Sequence, residues 1–560
     1  MRKEYLDLME KTLAAYSDEH IFHYFDKVQK EGLTEHGFPR LTSNIGILIA
    51  KGRRSDLLPI FLEMMEYCCK MIPKVQAAND FSVREMLSCI NELEKSNVVP
   101  HNDIARWKSY LAEIVPTECY SVYASTPTEK PNNWALFTCV SEYFRQSKGL
   151  CQSDAFIDMQ LASQLQRFDE NGMYKDNEAD IYHPMAYDLV SRTLLSLLLY
   201  AGYQGRYFER IDGILRTAGL FTLNMQSATG EMAFGGRSNQ FLHNEACLAA
   251  IFEYEAKRYQ KEGNACLAGR FKAAAFSAGQ VISTWLSKNP ISHIKNRFSP
   301  EMNFGCETYG YFDKYMITTA SFIYVAYLFC EENIPPIKAE EATVWSTSKH
   351  FHKTFVKCGG YSLEFDTNAD PNYDANGLGR IHKQGAPGAI CLSLPFAQSP
   401  NYRTGEYNNK SNFSICPAIK TSQGEWRYAA ENGVAYRASF EKAQGDTAQV
   451  AFQCIFADGI ETAFECTIDK DGVLVCVKGE TAQEVGICLP IFTFDGEKEV
   501  KIDRKEGKLI VEYDGWICEY QAEDMRYLNA DVANRNGIYK CYLARGLGKT
   551  AVRIKIYQDE

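Results

Sequence analysis

The segment Pro335-Pro336-Ile337-Lys338-Ala339-Glu340-Glu341-Ala342-Thr343-Val344-Trp345-Ser346 separates two patterns. Before it, apolar residues recur at helical spacing, and the connections hold Gly, Asn, Asp and Pro. The spacing predicts helices over Leu57–Met71, Ser82–Leu93, Trp134–Gln146, Asp154–Arg167, Met185–Ala201, Phe241–Tyr259, Ala265–Leu286 and Phe312–Cys330, with Pro184 at a first helical position. About twelve or thirteen such helices, with no fixed repeat period, suggest pairs stacked around an axis rather than a regular solenoid. After the segment, Val552-Arg553-Ile554-Lys555-Ile556 alternates cleanly and Val473–Val477 is an apolar run behind an Asp471-Gly472 turn. Ala457-Asp458-Gly459 is another turn between β-type runs. Strands following strands without helices between them argue for antiparallel sheets. The expected fold class is therefore a two-domain α+β chain, helical over residues 1–340 and antiparallel, β-sandwich-like over residues 347–560.

Composition excludes several functions. The length of 560 residues allows about two to four domains, and 46% apolar with 23% charged residues is ordinary for a globular chain with a large core. A net charge of −11 without a basic stripe argues against a nucleic-acid partner. The 19 cysteines are scattered, and Cys139, Cys247, Cys330, Cys454 and Cys466 fall inside apolar patterns, so they read as small buried hydrophobes in a reducing compartment. No zinc-type cysteine pair or phosphate-binding glycine loop is present, and His350 and His352, alternating along an expected strand, lack an acidic cluster. Neither a metal nor a nucleotide cofactor is expected. Met1–Glu10 contains no apolar signal core and no run of about 18 apolar residues exists. The expectation is a cytoplasmic protein without a membrane partner, or a periplasmic one if a leader has been removed; the oligomeric state, a homo-oligomer included, stays open.

Function is concentrated in Gly235-Gly236-Arg237-Ser238-Asn239-Gln240-Phe241-Leu242-His243-Asn244-Glu245. A double-glycine loop carries polar and ionisable groups directly into an apolar helix, and Gln240, His243 and Asn244 would share one face of it. A second cluster follows, Lys295-Asn296-Arg297-Phe298 with Glu307-Thr308-Tyr309-Gly310-Tyr311. Together they predict a polar, anion-reading pocket at the rim of the helical body.

These stretches, with His36-Gly37-Phe38-Pro39-Arg40 and Arg380-Ile381-His382-Lys383, resemble the heparinase II/III-like carbohydrate enzymes, and within that group the β-glucuronidases of glycoside hydrolase family 154. The resemblance implies an (α/α) toroid ahead of the sheets and an acidic oligosaccharide as partner. Given such a substrate, side-chain chemistry suggests roles for individual residues. Arg237 and Arg297 would clamp the uronate carboxylate bidentately, with Arg192 as a third candidate unless it only pairs with Asp188 on its own helix. Gln240, Asn244, Asn296, Tyr187 and Tyr311 would bind substrate. His183 would face the pocket or merely cap a helix; Trp134 would stack on a sugar or pack. His382 would be carried toward the cleft on the glycine-rich loop Asp374–Arg380.

Two chemistries compete. A hydrolase removing a terminal uronic acid needs an acid and a base or nucleophile, for which Glu245 and Glu307 are the candidates, with Glu231 and Asp188 in reserve. A uronate lyase needs a neutralised carboxylate, a base and an acid, for which His243, Tyr309, Tyr311 and Tyr315 are available, although Tyr315 also reads as core. A non-catalytic carbohydrate-binding protein is the third reading.

Overall fold

Six helices close into a ring. In the computed structural model, which describes residues 1–124, 126–127, 131–176, 181–338 and 341–559, Gly37–Ala50, Asn79–Ser96, Trp134–Ser147, Met185–Tyr200, His243–Lys261 and Phe312–Phe329 each pack on the next, and the last packs on the first. A second layer surrounds them. Arg2–Leu13, Leu58–Met71, Asp154–Leu165, Phe208–Met225 and Ala265–Leu286 each lie against one or two ring helices. The expected toroid is what forms.

The inner position explains the composition of these helices. Gly37–Ala50 is buried at every residue from Gly37 to Ile49, as a helix enclosed on all sides must be. Gly46 lets it approach its neighbours, because a Cβ there would overlap Cys89 Sγ and the Phe61 ring. All 19 cysteines are free thiols, and the five singled out above are buried.

Three antiparallel sheets follow. Thr343–Ser346, Lys353–Cys358, Tyr361–Asp366 and Gly377–Lys383 form a four-stranded meander. An eight-stranded sheet runs from Lys501–Lys505 at one edge to Ala435–Gln444 at the other, with Gly472–Lys478 and Lys549–Gln558 paired at its centre. A five-stranded sheet is built on Met525–Asn534, Gly537–Leu547 and Glu484–Phe494, and its face packs on the eight-stranded sheet as a sandwich. The strands at that seam bury alternate residues, as Gly472–Lys478 does at Val473, Val475 and Val477. The four-stranded sheet stands between, touching both Phe208–Met225 and Thr447–Ile455.

Several local expectations are corrected. The helix expected from Phe241 starts at His243, and Gln240 precedes it with φ +66°, so Gln240 does not share its face with Asn244. Pro184 stands one residue ahead of its helix. His350 and His352 lie in the turn before Lys353–Cys358 rather than along a strand. The glycine-rich stretch ending at His382 is a strand, Gly377–Lys383, buried up to His382. Its Gly379 is needed because a Cβ would strike the Phe234 ring. Within the expected joint Pro335–Ser346, positions 339 and 340 lie outside the described residues.

Candidate functional site

A cavity of about 510 Å³ opens at the end of the toroid where all six ring helices begin. It is lined by Glu35, His36 and Arg40 from the first, Phe81 from the second, Trp134 from the third and Tyr187 from the fourth. The loop Arg237–Ser238 with His243, and Tyr309 with Lys314 and Tyr315, complete the wall. Among the described residues no N-cap side chain of these six helices bonds its own first turn, although Glu35 accepts from Gly37 N at 2.7 Å and Asn132 Oδ1 from Trp134 N at 3.0 Å. The positive ends of six helix dipoles face one hollow, an environment that favours an anion.

Arg237 reaches the cavity from the Gly235-Gly236 turn, whose φ values of +145° and +73° require glycine. Its Nη2 binds Asp176 Oδ2 at 2.5 Å, its guanidinium lies 4.8 Å from the Tyr187 ring centre, and its Nε is buried without a partner among the described residues. The side chain is 42% exposed, so it can meet a ligand.

His243 opens its helix and is buried on the cavity wall. Its Nδ1 has no hydrogen-bond partner among the described residues. Burial, reinforced by the charge of Arg40, pushes it down to about 3, so the ring is neutral. His36 is likewise held well below the usual histidine range by burial and by Arg40, whose Nη1 stands 3.1 Å from its Nδ1. The tyrosines are shifted the other way. Burial raises Tyr187, Tyr309 and Tyr315, keeping each phenol protonated. Ser238 Oγ links two of them, 2.8 Å from Tyr309 OH and 3.4 Å from Tyr187 OH.

The cavity thus brings together Arg237, His243, Tyr309, Tyr187 and Trp134 of the expected residues. Others lie behind it. Asn244 donates to Ser238 O at 2.9 Å and Gln240 to Asn239, so both support the loop. Glu307 accepts from Ser238 N at 2.6 Å and is gripped by Arg535 Nη2 at 2.7 Å and Nη1 at 3.1 Å. Glu245 shares Lys295 Nζ with Glu231, at 2.5 and 3.1 Å. Although burial opposes it, Lys295 holds Glu231 down at about 2; burial and the Glu231 charge raise Glu245. Neither Glu245 nor Glu307 lines the cavity, and they are engaged by different cations.

The remaining expected residues are engaged elsewhere. Arg297 binds Asp495, Glu497 and Asp514 of the sheet domain. Arg192 and Asp188 form the buried i,i+4 pair that was the plainer reading. Asn296 donates to Phe304 O and Arg535 O. His183 packs against Phe351, Tyr311 lies exposed under Lys314, and His382 contacts Ser227, Thr229 and Ser393. Of the glycine-rich stretch only Asp374 reaches the site loop, accepting from Gly236 N at 2.6 Å. Of the residues given no role from the sequence, His36, Arg40, Phe81 and Asp176 come from stretches distant from Arg237, whereas Ser238 adjoins it. The signal for two of them was the polar His36 and Arg40 at the start of an apolar helix.

The sequence matches no family model and no curated relative. Among solved structures the fold is similar to a heparan sulfate lyase mutant from Pedobacter heparinus, with TM-score 0.45, 9% identity and 93% of this chain covered against 76% of that one. It is also similar to a heparinase III, with TM-score 0.36, 9% identity and 94% and 85% covered. A third is a family 127 β-L-arabinofuranosidase from Geobacillus stearothermophilus T6, with TM-score 0.34, 12% identity and 100% and 99% covered. Among the described residues no helix is long and apolar enough to cross a membrane.

Proposed function

We propose that the chain cleaves a uronate-containing oligo- or polysaccharide by β-elimination in the ring cavity. The observation that carries this reading is the buried, neutral imidazole of His243, whose Nδ1 has no hydrogen-bond partner among the described residues, on the wall of a hollow polarised for an anion. Arg237 and the helix starts would hold and neutralise the uronate carboxylate, which acidifies the proton on the adjacent carbon. His243 would take that proton, and the bound anion would raise its basicity. The electron pair forms the carbon–carbon double bond as the glycosidic C–O bond breaks. Tyr309 or Tyr315, both protonated, would return a proton to the leaving oxygen.

A second reading has its own support. Glu35 and Asp176 both line the cavity, so a hydrolase removing a terminal uronic acid, of the β-glucuronidase kind, would use these carboxyls rather than Glu245 and Glu307. The two readings separate in one assay. Elimination creates a conjugated double bond, so ultraviolet absorbance should climb when the protein meets uronate oligosaccharides, and His243→Ala should lower that rate by about 10²-fold or more. New reducing ends without absorbance, lost on Glu35→Gln or Asp176→Asn, would establish hydrolysis instead.

A further inference from the structure

We infer that a groove of about 460 Å³ beside the cavity is a second sugar subsite, taking through Tyr373 and Arg403 an acidic residue of the same chain that lies beyond the disaccharide held in the cavity. The inference rests on the proposed uronate chain in the cavity. Tyr309 lines both hollows, so they lie on either side of one side chain, within reach of a single oligosaccharide. One wall comes from the toroid, at Thr308 and Tyr309; the other comes from the sheet domain, at Tyr373, Tyr402 and Arg403.

The walls are fixed rather than loose. Gly305 N donates to Arg403 O at 2.7 Å and Arg403 N to Cys306 O at 3.0 Å, stitching the two segments together. Beneath them Arg535 grips Glu307, and its guanidinium lies 4.2 Å from the Tyr402 ring centre and 5.7 Å from that of Tyr373. Glu307 in turn holds Ser238 N, so groove floor and cavity wall share one hydrogen-bonded unit.

The surface chemistry fits a charged sugar. A half-buried tyrosine ring offers an apolar face for a pyranose, and its hydroxyl serves the sugar hydroxyls. Arg403 is exposed on the groove and forms no ion pair among the described residues, an unspent fork in a chain of net charge −11. Its planar donors match a carboxylate or a sulfate ester.

Calorimetric titration with a uronate disaccharide, a uronate tetrasaccharide and a sulfated tetrasaccharide tests this. The tetrasaccharides should bind about 10-fold more tightly than the disaccharide, and Arg403→Ala should remove most of that gain while leaving disaccharide affinity unchanged. A larger gain for the sulfated tetrasaccharide assigns the anion at Arg403 as sulfate; equal gains assign it as the uronate carboxylate. Tyr373→Ala should reduce the same gain, and Arg403→Gln serves if that variant does not fold. Length-dependent binding without any elimination product would refute the proposed chemistry and leave the subsite standing. Equal affinity for both lengths, no binding at all, or equal loss for both lengths in Arg403→Ala overturns the subsite.

Discussion

At Arg237 Nη2 is committed to Asp176, while the side chain stays 42% exposed on the cavity wall. A bound carboxylate would complete the guanidinium fork, which a lysine ammonium cannot do. Arg237→Lys should therefore fold normally, being 42% exposed, yet lose about 10²-fold in kcat/KM on uronate substrates. Wild-type kinetics in that variant would remove the clamp. Arg237, His243, Tyr309, Tyr187 and Trp134 were legible because each stands where a polar loop meets an apolar helix. Asp176 was not, since its stretch carries no mark of what the ring will place opposite it, and nothing marked the Ser238 hydroxyl as the link between Tyr309 and Tyr187. Arg297 misled for a related reason: a cation in a polar loop reads the same whether its anion is a ligand or, as here, Asp495 and Asp514 of another domain.

Helices were the most readable elements, because apolar positions three and four apart recur over runs too long for strands. Their termini were less so, and the site is made of termini. The strand Gly377–Lys383 was hidden by its glycines, which are there for close approach to Phe234 and the neighbouring strands rather than for a loop. Just ahead of it, Asp374 shows how the sheet domain supports the site loop. Its carboxyl accepts from Gly236 N, and burial, with Lys353 opposing, pushes it up to about 7. The folded protein thus prefers the protonated acid. That preference contributes fully at pH below about 4 and is lost as pH rises through 7. Asp374→Asn keeps an oxygen for Gly236 and removes the titration, so its urea midpoint should fall less than that of the wild type between pH 6 and 8. Parallel midpoint curves for the two proteins would show that Asp374 does not titrate in this range.

The two halves of the molecule are joined where the hairpin tip at Arg535 and Asn536, between Met525–Asn534 and Gly537–Leu547, enters the end of the toroid. Asn536 donates to Lys295 O at 3.0 Å, and Arg535 makes the two-pronged contact with Glu307. Both members of that pair are about 97% buried, so removing one leaves the other charged and uncompensated. Arg535→Met should cost about 3–5 kcal/mol of stability, whereas Arg535→Met with Glu307→Gln should cost much less than the two single changes added together. The cycle also decides what Glu307 does. If it is a structural anchor that holds Ser238 and hence Tyr309, then Glu307→Gln lowers stability while kcat falls modestly, because the amide oxygen can still accept from Ser238 N. If Glu307 performs proton chemistry, turnover collapses by about 10²-fold or more in Glu307→Gln whatever residue stands at 535. The geometry favours the anchor: two arginine prongs and a backbone N–H already occupy the carboxylate, and the cavity lies on the far side of Ser238. An additive cycle, with no coupling between the two positions, would break the link between the domains on which this argument depends.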